Sequence, residues 1–130
     1  MKCLDTDLLI AILRGKEEAY SKVEEIDEEG KGATTAINAF EIFFGAYKSA
    51  RKSENVKEAS KLLDRLEVVH LNLASSRRAG EITAKLTAKG ETIDYRDAMI
   101  SGIAIENNLV LVTRNRSHFN RVKGLKLEDW

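Results

Sequence analysis

"DAMISGIAIENNLVLVT", residues 97–113, is the stretch whose reading decides the fold. Residues 97–108 are apolar almost all round, which predicts a helix packed inside rather than laid on the surface. Residues 109–113 are a continuous run of Leu and Val closed by Thr113, the composition of a strand buried on both faces of a parallel sheet. A buried helix running directly into such a strand calls for helices on either side of the sheet.

Working outward, the same alternation recurs. "MKCLD" predicts a short buried strand that stops at Asp5. "TDLLIAILRG" predicts a helix closed by Gly15, and Ala19, Val23 and Ile26 mark an exposed amphipathic helix over 16–29. "GKGATT" supplies a short strand, then a Thr cap for a helix over 36–50. Val56, Ala59, Leu62, Leu63 and Leu66 mark another helix, over 54–67. "EVVHLNL" is a strand candidate, Ala79, Ile82 and Leu86 line a helix ending near Gly90, and "LKLED" is a last short strand. No proline, repeat or low-complexity segment interrupts the 130 residues, so residues 1–130 are expected to form one domain. The expected class is α/β, with a mostly parallel sheet covered on both sides.

Composition narrows the chemistry. Lys+Arg and Asp+Glu both number 21, so the chain is not a basic nucleic-acid coat, although a local basic patch is compatible with that balance. Cys3 is the only cysteine, which removes internal disulfides and thiolate zinc cages and suits a reducing, cytoplasmic setting. His70 and His118 are too few for a His-rich metal site. "LLIAIL", 8–13, is too short for a membrane span and does not read as a signal peptide.

In open parallel sheets, ligands bind beyond the carboxyl ends of the strands. Asp5 ends the first strand, and Asn115 lies two residues past "LVLVT". Asp97 opens the apolar helix, and Glu41 falls early in the helix after the second strand. If these converge, their like charges need neutralising, and a hard divalent cation such as Mg²⁺ does so with a few carboxylates and several waters. Such a cation activates water and stabilises charge on a phosphate oxygen. Taken singly, Asp5 and Asp97 are each explained more readily by helix capping, and Asn115 more readily still by a turn. "AFEIFFGA", 39–46, sets three of the four Phe residues around Glu41. Asn38, Glu41, Gly45 and Lys48 form one polar stripe, which faces either solvent or a cleft. The phenylalanines are assigned to the core or to a subunit contact.

Thr6 and Thr113 flank the acids as candidate supports, and Asp94 shares a helical face with Asp97. Asp7 reads as a first-turn helix acid, His118 as a surface or packing residue, and Cys3 as core. Arg114, Arg116, Arg121, Lys123 and Lys126 follow the last site strand, and Arg77 and Arg78 open another helix. A positive rim beside acids suits a phosphate polymer, whereas a solvated surface explains the two lysines.

"LDTDLLI", the acid in "TTAINAFEIFFGA", "GETIDYRDAMISGIAIENN" and "LVLVTRNRSHFNRVKGLKLEDW" resemble the ordered motifs of the PIN domain, from the first strand to the end of the sequence. More narrowly they are similar to the VapC-type toxins of toxin–antitoxin pairs. The resemblance implies a PIN-like α/β/α sandwich and a ribonuclease dependent on Mg²⁺ or Mn²⁺. Asp5, Glu41 and Asp97 match the family's metal-binding acids, and Thr6 and Thr113 match its polar supports. Asn115 stands at a fourth position that is often Asp; an amide there lowers the negative charge and puts a direct role in binding a second metal in doubt. A proline frequent before the Asp97 position is missing here. The resemblance also implies an RNA substrate, a homodimer, and a cognate antitoxin whose C-terminal segment crosses the groove. Arg114, Arg116 and Arg121 are then candidate RNA contacts. Competing readings are an RNA-processing nuclease of the same fold outside a toxin pair, a haloacid-dehalogenase-like phosphatase using Asp5 of "DTD" as nucleophile, and a non-catalytic binding module.

Overall fold

A computed structural model describes residues 1–130. Five three-residue strands, β1 (Lys2–Leu4), β2 (Ala33–Thr35), β3 (Glu67–Val69), β4 (Val110–Val112) and β5 (Lys126–Glu128), form one sheet in the order β3-β2-β1-β4-β5. Every neighbouring pair is parallel. Helices α1 (Thr6–Leu13) and α2 (Glu17–Glu29) join β1 to β2, and α3 (Ala36–Lys48) and α4 (Lys52–Asp64) join β2 to β3. Helices α5 (Leu73–Ala88) and α6 (Tyr95–Glu106) join β3 to β4, and the short α7 (Arg116–Phe119) leads towards β5.

Strand alternation sends neighbouring side chains to opposite faces. Leu4 and Val112 join Leu8, Leu9, Ala19, Ile42 and Ala59 in a core beneath α1–α4. Cys3 and Leu111 join Ile100, Ala104 and Phe119 on the other face, beneath α6 and α7. This two-sided burial is why "LVLVT" shows no alternation of polar and apolar residues. As expected, α6 is an inside helix: Ala98, Ile100, Ser101, Gly102, Ile103 and Ala104 are all buried. Its approach to α5 requires a glycine, because a Cβ on Gly102 would lie 2.5 Å from the backbone oxygen of Ser75. Gly15, which closes α1, holds φ at 72°, a left-handed angle that favours glycine.

Several boundaries differ from the sequence reading. Helix α5 starts at Leu73, well before Ala79, because Asn72 and Ser75 form a reciprocal capping box that stops the "EVVHLNL" strand at Val69. Helix α6 starts at Tyr95 rather than Asp97, because the Asp94 carboxylate caps it by accepting from Arg96 N at 2.8 Å. Helix α7 was not foreseen; four residues are too few to show a period.

Candidate active site

The sheet reverses direction at β1: successive connections run outward to β2 and β3, and the chain then returns to place β4 on the other side of β1. That reversal opens a crevice beyond the carboxyl ends of β1 and β4. The residues leaving those two ends are Asp5–Asp7 and Thr113–Asn115. Asp5, Thr6, Asp7, Glu41, Asp97, Arg114 and Asn115 line one open cleft there. An adjoining recess adds Asp94, Arg96, His118 and Arg121. The four predicted positions, supplied by the end of β1, the second turn of α3, the first turn of α6 and the loop after β4, therefore meet at one place.

Asp5 stands at the N-cap position of α1 but its side chain makes no capping bond, so capping is not why it is there. Its carboxylate is buried, with Oδ2 accepting from Thr113 Oγ1 at 2.7 Å and Oδ1 from Asn38 Nδ2 at 2.9 Å. Burial pushes its carboxyl up to about 6, against a smaller opposing effect of the Thr113 hydrogen bond. Two of a carboxylate's roughly four lone-pair positions are used, leaving acceptor capacity for a cation.

Asn38 explains the orientation of the site. Thr35 and Asn38 form the capping box of α3, and Thr35 Oγ1 also donates to Asn38 Oδ1 at 2.7 Å. With its oxygen held by the cap, the amide nitrogen is aimed at Asp5 Oδ1 and at Thr6 Oγ1, 2.9 Å from each. Thr6 in turn donates to Glu41 Oε1 at 2.9 Å. Asn38 is fully buried, so the expected stripe is not a uniform solvated or cleft-facing row: only Glu41 faces the cleft, and Gly45 and Lys48 are exposed beyond it. Sequence reasoning missed Asn38 as a site residue, although the Thr35-x-x-Asn38 spacing was a visible capping signal. The three phenylalanines divide. Phe43 packs on the core, whereas Phe40 and Phe44 are more than half exposed, their rings stacked 6.1 Å apart.

Asp97 lies in the first turn of α6 and is not its cap. Half-burial and the neighbouring Asp94 charge hold its carboxyl above the ordinary range. His118 Nδ1 is 3.6 Å from Asp97 Oδ2 and 3.0 Å from Asn115 Nδ2, so His118 belongs to the rim of the site rather than to an unrelated surface. Asn115 N donates to Thr113 Oγ1 at 2.9 Å. Asp94 is occupied by Arg96, whose hydrogen bonds hold its carboxyl below the usual carboxylate range; Arg96 also lies 3.6 Å from Glu41 Oε2. Asp7, expected as a first-turn helix acid, also lines the cleft with both oxygens engaged, Oδ2 by Arg114 N at 2.8 Å and Oδ1 by Trp130 Nε1 at 3.3 Å. Arg114 and Arg121 stand at the cleft walls; Arg116 is exposed and lines neither recess, and Arg78 pairs away from it with Glu81 and Glu106.

No three acid, His or Cys side chains stand close enough to grip one ion as the side chains lie. The donor chemistry still fits a hard cation. Asp5, Glu41, Asp97 and Asn115 offer only oxygen ligands, and Mg²⁺ retains several waters, so one or two carboxylates suffice. The buried Asp5 charge is the group such a cation would relieve.

Fold and site together define a class: a wholly parallel α/β protein that gathers carboxylates at its topological switch point. Within it, the chain belongs to the PIN domain family, whose model matches residues 2–125. It is 30% identical over 127 residues to the tRNA(fMet)-specific endonuclease VapC of Shigella flexneri, covering 98% of this chain and 96% of that one. It is 31% identical over 128 residues to ribonuclease VapC2 of Rickettsia felis, again covering 98% and 96%. Among solved structures it resembles VapBC2 from Rickettsia felis, bound to a DNA fragment from its promoter, with a TM-score of 0.92 and 30% identity over 99% of this chain and 98% of that one. The DNA-bound VapBC of Salmonella typhimurium gives 0.90 and 30% over 100% and 98%. No helix is long and apolar enough to cross a membrane.

Proposed function

We propose that the chain is a metal-dependent endoribonuclease, one PIN-like domain acting as the toxin of a toxin–antitoxin pair. The observation that carries this reading is the single cleft lined by Asp5, Glu41 and Asp97, with Arg114 and Arg121 on its walls. The ribonuclease names of the full-length relatives support it.

In this reading Asp5, Glu41 and Asp97 would hold Mg²⁺ or Mn²⁺, which when bound supplies a more acidic water and charge stabilisation at phosphate oxygens. The chain's own groups do the positioning. Asn38 and Thr113 fix the Asp5 carboxylate, and Thr6 fixes that of Glu41. Arg114 meets the RNA backbone, where guanidinium pairs with phosphate in a planar, two-toothed contact; Arg121, whose Nη1 and Nε donate to the Thr92 and His118 backbone oxygens, adds positive charge beside it. Asn115 holds His118 beside Asp97 and adds no negative charge where the family often has Asp. The haloacid-dehalogenase-like alternative is set aside by the family and by Asp7, whose two oxygens are tied to Arg114 and Trp130 and so are not free for acid–base work. The exposed Phe40, Phe44 and Tyr47 give α3 an uncovered aromatic face, which suits the homodimer and the antitoxin that the toxin reading calls for.

Incubating purified protein with RNA in Mg²⁺, Mn²⁺ or EDTA tests the proposal. Cleavage should require the metal and fall at least about a hundredfold in Asp97→Asn, the usual scale for losing a charged group that acts in the transition state. Cleavage that persists in EDTA, or is unchanged in Asp97→Asn, rejects it.

A further inference from the structure

Trp130 follows β5 and folds back over the loop leaving β4. Its ring packs against the α1–α4 core and meets the cleft wall on the other side. The Arg114 guanidinium lies over that ring, 3.6 Å from its centroid, and Arg114 Nε donates to the Trp130 backbone oxygen at 2.8 Å. The indole Nε1 donates to Asp7 Oδ1, while Asp7 Oδ2 accepts from the Arg114 backbone. Asp7, Arg114 and Trp130 thus close a ring of contacts along one wall of the acidic cleft. An arginine on a loop ordinarily samples many rotamers, and fixing it in place has an entropic cost. Here an aromatic face and a backbone acceptor hold its plane, in the arrangement where cation–π attraction is strongest, over tryptophan. Its remaining nitrogens make only one long contact, Nη1 to the exposed Glu18 at 3.7 Å, and so are left available.

We propose that Trp130 is a positioning residue of the site: it holds the Arg114 guanidinium at the lip of the cleft, oriented to meet a backbone phosphate of RNA. This rests on the ribonuclease reading above. It adds a residue that touches no reacting atom and acts through Arg114.

Trp130 is the only tryptophan, so its emission reports the pairing without reference to activity. Arg114→Ala should red-shift that emission and raise its quenching by acrylamide; unchanged emission and quenching overturn the pairing. RNA affinity is then measured with a short single-stranded oligoribonucleotide, using variants built on Asp97→Asn to suppress cleavage. Arg114→Ala and Trp130→Ala should each weaken binding about fivefold, the scale of one cation–π contact, and together no more than either alone. Trp130→Phe should stay near the parent and Trp130→Leu should fall with Trp130→Ala; this pair decides the matter if Trp130→Ala fails to fold. In the active protein the loss should appear in KM with kcat largely kept. Equal affinity of the Phe and Leu variants, or losses that multiply in the double variant, overturns the inference. A parent that binds no RNA rejects the ribonuclease reading itself, whatever the emission shows.

Discussion

Replacing Asp5 with asparagine should make the metal-free protein more stable while ending its function. Asp5 is buried, and its carboxyl sits at about 6 instead of 3.8. At about 1.36 kcal/mol per pH unit, keeping it ionised costs the fold about 3 kcal/mol. The sign follows from proton linkage. Below about pH 3.8 the group is protonated in both folded and unfolded chains, and nothing is lost. Between there and about 6 the unfolded chain gives up its proton while the fold retains it, so stability falls as pH rises; above about 6 the whole cost is present. Asparagine escapes that cost, and the network tolerates it. Its oxygen still accepts from Asn38, its amide donates to Thr113 Oγ1, and the Thr113 hydroxyl turns to Asp7 Oδ2, already 3.3 Å away. In EDTA at pH 7.5, Asp5→Asn should melt about 10 °C above wild type, the shift expected for about 3 kcal/mol in a chain of this size. At pH 4 the gap should close, and Mn²⁺ should raise the melting temperature of wild type alone. Equal or lower stability of Asp5→Asn at pH 7.5, or a gap that survives at pH 4, refutes the reasoning.

Gly102→Ala forces a methyl group against the Ser75 backbone oxygen and should cost about 2 kcal/mol or more, read by urea denaturation. Asn38→Ala leaves the Thr35 cap of α3 in place but removes the reciprocal half of its capping box and a donor to Asp5; about 1–2 kcal/mol of stability and at least about tenfold in cleavage should go together, checked by melting and single-turnover rates. Thr113→Val keeps the buried shape but strips the Asp5 donor and leaves Asn115 N without its acceptor, and cleavage should fall about tenfold with little change in RNA affinity. Arg96→Gln removes the cation beside Glu41, so Mn²⁺ should bind several-fold more tightly by calorimetry.

The parts of the fold that depend on local pattern were legible. Burial of α6 and β4 was written in two apolar runs separated only by Glu106, Asn107 and Asn108, and the end of β1 in a single acid. The strands were hardest to delimit, because three residues of β structure leave no period to read, and Asn72 converts the end of "EVVHLNL" into a helix cap. At the site, the sequence pointed to the acids that meet in the cleft and to Thr6 and Thr113, which hold two of them, but not to Asn38 or His118. Asn38 sits on the same helical stripe as exposed residues, and only the close approach of β1 and α3 shows that its amide serves Asp5. His118 and Trp130 reach the cleft across contacts that no spacing encodes, 21 residues along the chain from Asp97 in one case and 123 from Asp7 in the other. The separation of Phe43 from Phe40 and Phe44 is likewise set by where α4 and the sheet lie, which "AFEIFFGA" alone does not specify.

In the proposed reading, acids from the end of β1, the second turn of α3 and the first turn of α6 serve one divalent cation at the switch point between β1 and β4. Anomalous scattering from a crystal soaked in Mn²⁺ tests it most directly. One principal peak is expected in contact with the Asp5 carboxylate, bounded by Glu41 and Asp97 and absent from Asp5→Asn crystals. A principal peak elsewhere, such as at Asp94 or among the surface glutamates of α2, or a cleft that stays empty while Mn²⁺-dependent cleavage proceeds, contradicts it.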